Sequence, residues 1–337
     1  MKTYLEDKLK ILIVFSGNVD EKIADTHHAF VYEQINAVKS NYDIEYDVAL
    51  IKGRGINGYL KNLSVLKKKI KDFNPDLVHA HYGLAGLLSV MQRKKPVIIT
   101  FHGSEIKTFT VNFLSSVASF FSKYNIFVAH HIREKLYLKP RKNYQVIPCG
   151  IDLADSKVVD KELSLSKMQL DKNVINILFS GAFNDRMKNY ELARESVDLI
   201  TDEKINLIEL KGFKREEVNY LFNACDLFLL TSKSEGSPQT IKEAMACNCP
   251  IVATDVGDIR EVIAGTDGCF LTSFRPENIA DNIRLAIKFS KRTNGRDRIK
   301  KFDNNPVSSQ IYSIYSKVLN RKTNNFRFSY PFIYKMD

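Results

Sequence analysis

The chain has 337 residues, 44% of them hydrophobic and 26% charged, enough to bury two ordinary cores, which excludes a disordered or fibrous protein. Its formal charge of +11 is uneven: residues 1–152 carry 22 Lys and Arg against 14 Asp and Glu, the remainder 28 against 25. A basic first half of this kind implies an anionic partner, and with no run of 18 apolar residues nothing is expected to span a membrane.

In chain order, residues 9–15 read as a strand apolar on both faces, followed by Gly17, where the backbone can approach a ligand closely. The apolar run at 11–15 is too short for a secretory signal, and the five cysteines show neither disulfide nor zinc spacing. A cytosolic protein with reduced thiols is the expectation. A helix follows over 29–40 and a strand over 46–51. Residues 52–73 place Leu63, Leu66, Ile70 and Phe73 at helical spacing, with Lys61, Lys67, Lys68, Lys69 and Lys71 between them. That is either a solvated amphipathic helix or, with Lys52, Arg54 and Tyr59, a patch for a membrane surface or lipid phosphate.

Residues 76–81 and 96–102 are two more strands, closed by His81-Tyr82-Gly83 and His102-Gly103. Ligands of open α/β sheets gather at the carboxyl ends of strands, so Gly17, His81 and His102 mark one edge as a candidate site. His79, in mid-strand, reads as buried structure. A strand over 126–129 and a helix opened by His130 and His131 complete this half; adjacent histidines point to different faces, so no metal site is read there. Residues 145–152 lead into a polar stretch, 153–173, of weak periodicity.

A second α/β set begins with a strand over 176–180, closed by Gly181. Arg186 and Lys188 come next, just ahead of a helix, where a phosphate site wants a cation and a solvated loop is the plain alternative. A glycine turn at Gly212, a helix and an apolar run over 227–230 precede the segment TSKSEGSPQTIKEAMACNCPIVATDVGD, 231–258. There Ser237 reads as a helix N-cap, Pro238 as the first helical position and Asn248 as a left-handed turn residue before Pro250. A β-branched strand over 251–254 ends at Asp255 and Gly257. The remainder reads as a helix and turn over 258–268, a strand over 269–272, an amphipathic helix over 279–289 and a last helix over 307–319. The tail adds Phe326, Phe328, Tyr330, Phe332 and Tyr334 among basic residues.

Glu235 and Glu243 lie eight residues apart across that helix start. Free N–H groups and the positive dipole end suit a phosphate, and a residue six places into a helix lies about 8–9 Å along its axis. A ligand with phosphates in the middle and a carboxylate contact on either side fits this layout, as a nucleotide-sugar does; an ordinary capped surface helix fits the two glutamates alone. No G-x-G-x-x-G follows the first strand, which argues against a nicotinamide enzyme, and no Asp-x-Asp donor-metal motif occurs.

The segment SEGSPQTIKEAMACNCPIVATDVGD resembles the Glu-x7-Glu signature of the retaining GT-B glycosyltransferases, specifically glycosyltransferase family 4. PDLVHAHYGLAG and VIITFHGSEI are similar to that family's N-terminal half, so the resemblance covers roughly residues 9–320. It implies an α/β GT-B fold: two Rossmann-like domains facing across a cleft, with a C-terminal helix crossing back to the first. The matching boundaries are 1–152 for the acceptor side, 153–305 for the donor domain and 306–337 for the crossover helix and tail.

The resemblance also implies roles. Glu235 would hold the donor sugar, Glu243 the ribose, and Lys188 the diphosphate, while Gly17 and His102 would approach the phosphates and the reacting sugar. Gly236, Ser237, Pro238, Gln239 and Thr240 line the same helix start. The family often has Arg where Ala182 stands and Asp where Glu105 stands, leaving Arg186 as the candidate substitute. His102, Glu235 and Lys188 are thus the candidate catalytic residues, with His81, Tyr82, Arg54 and Tyr59 on the acceptor side. The implied reaction is metal-free transfer from a nucleotide-sugar, with retention, to a hydroxyl acceptor. A polyprenyl-diphosphate-linked glycan of surface polysaccharide assembly is the expected acceptor, at the inner face of the cytoplasmic membrane, with no nucleic acid as partner. The alternatives are a nucleotide-sugar epimerase or phosphorylase of the same fold, or a non-catalytic binder of anionic surfaces.

Overall fold

The computed structural model of the chain describes residues 8–17, 29–53 and 55–321. These fall into two compact units, one drawn from Met1–Gly150 and Asn304–Asp337, the other Ile151–Asp303.

Six strands make the first unit's sheet: β1 Leu9–Ser16, β2 Ile44–Ile51, β3 Leu77–His81, β4 Val97–Phe101, β5 Tyr124–Phe127 and β6 Tyr144–Val146. All neighbours are parallel, in the order β2-β1-β3-β4-β5-β6. From β1 the chain steps outward to β2 and returns on the other side as β3, so the switch point lies between the ends of β1 and β3. Alternate side chains of β1 serve two cores: Leu12 and Val14 join Val78, Ala80, Ile99 and Phe101, while Ile11, Ile13 and Phe15 join Leu77, Ile98 and Ile126. Helix Ala29–Asn41 covers this second face with Val31, Ile35 and Val38. The last helix, Asn304–Val318, lies beside it and contributes Val307, Ile311, Ile314 and Tyr315, with Tyr312 stacked on Tyr42 at 3.8 Å.

Tyr315 also reaches the sheet through His79. The two histidine ring nitrogens lie 2.7 Å from the Tyr315 hydroxyl and 2.7 Å from Thr100 Oγ1, and the side chain is 1% exposed. Burial lowers the His79 pKa to about 3, so the folded protein holds it neutral. The unfolded chain takes up a proton near pH 6.5 that the folded one refuses, so stability falls as pH drops from 6.5 toward 3. Urea midpoints measured at pH 7.5 and pH 5 are expected to fall less in His79→Gln than in the wild type; an equal fall in both contradicts this role.

The second unit repeats the topology with β7 Ile175–Phe179, β8 Ile205–Glu209, β9 Leu227–Leu230, β10 Ile251–Thr254 and β11 Cys269–Thr272, parallel in the order β11-β10-β9-β7-β8. Its switch point lies between the ends of β7 and β9. Cys225, Cys247 and Cys249 are buried and free; burial pushes Cys247 up to about 12 and Cys249 to about 11, making them inert core thiols.

Several elements differ from the sequence reading. The stretch 52–73 is two helices, Gly55–Leu60 and Asn62–Phe73, because the Asn62 amide donates to the carbonyls of Lys52 and Gly58 at 2.7 and 2.6 Å and turns the chain there. β5 starts at Tyr124, where Tyr124 and Asn125 pair with Ile98 and Ile99. Edge strand β8 and helix Lys161–Met168 were not expected; the latter opens where the Asp160 carboxylate accepts the Leu163 N–H at 2.9 Å. Helices Gly83–Val90 and Phe109–Phe121 were not expected either. Among the described residues no helix is long and apolar enough to cross a membrane.

Candidate active site

In the second unit the expected cation and carboxylate meet. Lys188 Nζ donates to Glu235 Oε1 at 2.8 Å, with both side chains mostly shielded. The loop after β7 is built for this. A Cβ on Gly181 would stand 2.9 Å from Lys188 Cγ, so only glycine leaves room for the lysine stem to lie over it. Asp185 folds the loop by accepting the Met187 N–H, and the Thr231 hydroxyl, just past β9, donates to the carbonyls of Lys188 and Asn189. Arg186, on the same loop, is exposed with no partner among the described residues.

The helix itself spans Gln239–Ala246, with Pro238 in the capping position and no side-chain cap. The expectation that Ser237 caps it is therefore corrected: Ser237 Oγ instead accepts from Lys242 Nζ at 2.7 Å. Glu243 is the fifth helical residue, about 6 Å along the axis from Gln239, and half-buried. Thr240 Oγ1 is buried without a hydrogen-bond partner. Asn248 does adopt the left-handed conformation, φ 54°.

Lys242 is fully buried, reaching Ser237, Gln239 at 3.4 Å and the Phe302 ring at 5.9 Å. Asp258, 3% exposed, lies in its field; burial pushes that carboxyl up to about 6 against the pull of Lys242. Between them, the turn after β10 lies against the Glu235 loop: a Cβ on Gly257, whose φ is 69°, would meet Gly236 O at 2.7 Å. Thus the Glu235-Gly236-Ser237 loop is held by the buried Lys242, which donates to Ser237, and by a glycine turn, while both Asp258 carboxyl oxygens are buried without a hydrogen-bond partner.

In the first unit the ends of β3 and β4 are tied by one carboxylate. Glu105, 1% exposed, accepts the backbone N–H of Gly83 at 3.3 Å, of His102 at 3.1 Å and of Gly103 at 2.6 Å. Burial raises its pKa and these N–H groups oppose the rise. Tyr82 is held there at φ 71°, ψ 143°, a strained backbone for a residue with a side chain. His81 is buried, and its Nδ1 lies 3.1 Å from His102 Nε2. The His102 ring packs against both Phe30 and Tyr82, with centroids at 4.9 and 4.8 Å, and its Nδ1 is 3.9 Å from Cys149 Sγ.

Two family models match this chain: one described as Glycosyltransferase Family 4 over residues 24–155, the other as Glycosyl transferases group 1 over residues 188–288. The chain is a glycosyltransferase, similar to family 4 over its first half and to group 1 over its second. An uncharacterized glycosyltransferase of Methanocaldococcus jannaschii is 25% identical over 325 residues, covering 89% of this chain and 93% of that one. The N,N'-diacetylbacillosaminyl-diphospho-undecaprenol alpha-1,3-N-acetylgalactosaminyltransferase of Campylobacter jejuni is 23% identical over 307 residues, covering 77% and 82%. Among solved structures, sucrose-phosphate synthase from Thermosynechococcus elongatus superposes with a TM-score of 0.76 at 14% identity, covering 93% of this chain and 99% of that one. The Anabaena protein HepE in complex with UDP gives 0.73 at 16%, covering 92% and 100%. The fold is GT-B, and the chain is a sugar-transferring enzyme.

The Gly17 N–H donates to Ile51 O at 3.1 Å, extending the pairing of β1 with β2. Tyr59 lines an apolar pocket of about 220 Å³ with Leu84, Leu87 and Leu114. Arg54 and the tail aromatics lie outside the described residues. The sequence reading missed Gly181, Thr231, Gly257 and Lys242 as supports of the site, and the buried Asp258 beside it. Lys242 carried a signal: three and four residues before Met245 and Ala246, it falls on the helix face that packs inward.

Proposed function

We propose that this glycosyltransferase takes its sugar from a nucleotide-sugar, binds that donor on the second unit, and passes the sugar with retention to a hydroxyl of a lipid-linked glycan. The observation that carries this reading is the Lys188–Glu235 pair at 2.8 Å, fixed by the loop that leads to helix Gln239–Ala246. As the bond from the anomeric carbon to the β-phosphate oxygen breaks and one to the acceptor oxygen forms, negative charge grows on the departing diphosphate. Lys188 and the N–H groups of the helix start stabilise that charge without a metal. Glu235, oriented by Lys188, takes the donor sugar's hydroxyls, Glu243 the ribose, and the unpartnered Thr240 hydroxyl a phosphate oxygen. His102, whose ring is fixed by His81, Phe30 and Tyr82, serves the reacting sugar.

Two relatives support the substrates. HepE is described in complexes with UDP and UDP-glucose, and the Campylobacter relative is named for a diphospho-undecaprenol acceptor. A role in surface polysaccharide assembly, by a peripheral enzyme at the inner face of the cytoplasmic membrane, follows from such an acceptor together with the basic first half. The test is the thermal midpoint of the protein with UDP, GDP, ADP and their sugar conjugates in chelator. At about a hundred times its dissociation constant, the right nucleotide adds about 2.7 kcal/mol and raises the midpoint visibly. No shift with any of them overturns the assignment of the second unit as a nucleotide site.

A further inference from the structure

Helix Phe109–Phe121 is built inside out. Its buried face is Asn112, Ser115, Ser116, Ala118 and Ser119, whereas Phe109, Phe113, Phe120 and Phe121 are exposed by 72, 47, 75 and 67%. Most of that interior is satisfied: the Asn112 amide donates to Lys135 O at 2.8 Å, its carbonyl oxygen accepts the Tyr137 N–H at 3.1 Å, and the Ser119 hydroxyl donates to Ser116 O at 2.7 Å, while the Ser115 hydroxyl is buried without a partner. Phe109, Phe113 and Phe120 are spaced by four and seven residues, so at about 100° per residue they fall within roughly 40° of one another. They form one stripe about 16 Å long. Tyr137 and Leu138, 52 and 47% exposed, continue it, with the Phe109 and Tyr137 rings 5.2 Å apart.

Next to the stripe lies a groove of about 870 Å³ in which Phe121 and Val117 meet four cations, Arg93, Lys94, Lys95 and Lys123, and no acidic residue lines it. Aromatic rings standing in water beside a cluster of cations without acids match the boundary of an anionic bilayer: acyl chains for the rings, headgroup phosphates for the cations. A second protein copy would have to offer acidic groups opposite the groove as well as an apolar face.

We propose that the stripe Phe109, Phe113 and Phe120 is the membrane-docking surface of this enzyme, with Arg93, Lys94, Lys95 and Lys123 taking the phosphates of anionic lipids. The lysine-rich helix Asn62–Phe73, singled out from sequence, is then secondary; its Lys69 is already engaged, 3.0 Å from Asp47. This deepens the reading of a lipid-linked acceptor and rests on it only in supposing a bilayer near the enzyme. The binding assay uses no acceptor and no donor, so it fails or succeeds independently of that reading.

The test is co-sedimentation of the full chain, tail included in every variant, with vesicles of phosphatidylcholine alone and of phosphatidylcholine mixed with phosphatidylglycerol. The wild type is expected to sediment with the mixed vesicles, and Phe109→Ser/Phe113→Ser/Phe120→Ser to reduce the bound fraction about tenfold at an unchanged thermal midpoint. Lys94→Gln/Lys95→Gln/Lys123→Gln removes the preference for the anionic vesicles, and Lys67→Gln/Lys68→Gln/Lys71→Gln leaves most of the binding. Wild-type binding by the serine variant overturns the proposal. So does a wild-type dimer, seen by light scattering, that the serine variant converts to monomer, because the stripe then covers a second copy.

Discussion

Replacing Lys188 with alanine is expected to lower turnover about a hundredfold, roughly 2.7 kcal/mol of barrier, the size of effect seen when one preorganised donor to a developing anion is lost. The same substitution should barely move the thermal midpoint. Lys188 and Glu235 retain 22 and 17% side-chain exposure and water can take over from either partner, so their ion pair contributes little to folding. Glu235→Ala is expected to cost at least about tenfold, on the order of 1.4 kcal/mol. The double variant should lose less than the product of the two, since each residue orients the other at 2.8 Å. Gly181→Ala tests the same geometry without touching either charge: its Cβ would press on Lys188 Cγ at 2.9 Å, so part of the Lys188→Ala loss should reappear. Wild-type turnover in both Lys188→Ala and Glu235→Ala would remove these residues from the chemistry.

The largest expected effects on stability come from Lys242 and Asp258. Lys242→Met leaves a buried carboxylate without its countercharge, and Asp258→Asn leaves a fully buried ammonium without one. Lys242→Met is expected to cost about 3–5 kcal/mol near pH 7.5, the usual consequence of leaving a buried charge uncompensated; Asp258→Asn costs less there, because it also removes a carboxylate whose ionisation the fold disfavours. Lys242→Met/Asp258→Asn should recover much of that loss, because neither charge then remains buried alone. The pH dependence carries a sign. The folded pKa of Asp258, about 6, lies above its ordinary 3.8, so this carboxyl costs stability increasingly as pH rises from 3.8 through 6. Below pH 6 it is protonated in the wild type as well, and the pair is already lost. The Lys242→Met penalty should therefore shrink at pH 5, whereas the Asp258→Asn penalty should grow there, because the wild type gains stability as its carboxyl protonates and the asparagine variant does not. Urea melts of the three variants at pH 7.5 and pH 5 check this; penalties that add in the double variant, or that do not change with pH, would show the two charges to be uncoupled.

What the sequence made legible was local. Strands β9, β10 and β11, the left-handed Asn248 and the meeting of strand ends at one edge all follow from short apolar runs, Gly and Pro, which act within a few residues. What it hid depended on partners far along the chain. Ser237 looked like a cap because Ser before Pro usually is one; Lys242, a turn further into the helix, claims its hydroxyl instead. Glu105 looked like a near-miss for a family aspartate, but it ties two strand ends together by accepting backbone N–H groups from Gly83, His102 and Gly103. Helix Phe109–Phe121 escaped because its polarity runs opposite to the usual rule, with serines inside and phenylalanines outside. The short edge strand β8 left too little alternation to see.

Transfer itself is the most direct test. The purified protein is incubated in chelator with the nucleotide-sugar that raises its thermal midpoint, labelled in the sugar, and with a short-chain polyprenyl-diphosphate-linked glycan. The account predicts that label joins the acceptor with its anomeric configuration kept, that one nucleoside diphosphate is released per sugar moved, and that Lys188→Ala does this about a hundredfold more slowly. Donor consumed at the same rate with no acceptor present, or label transferred with inverted configuration, would contradict it.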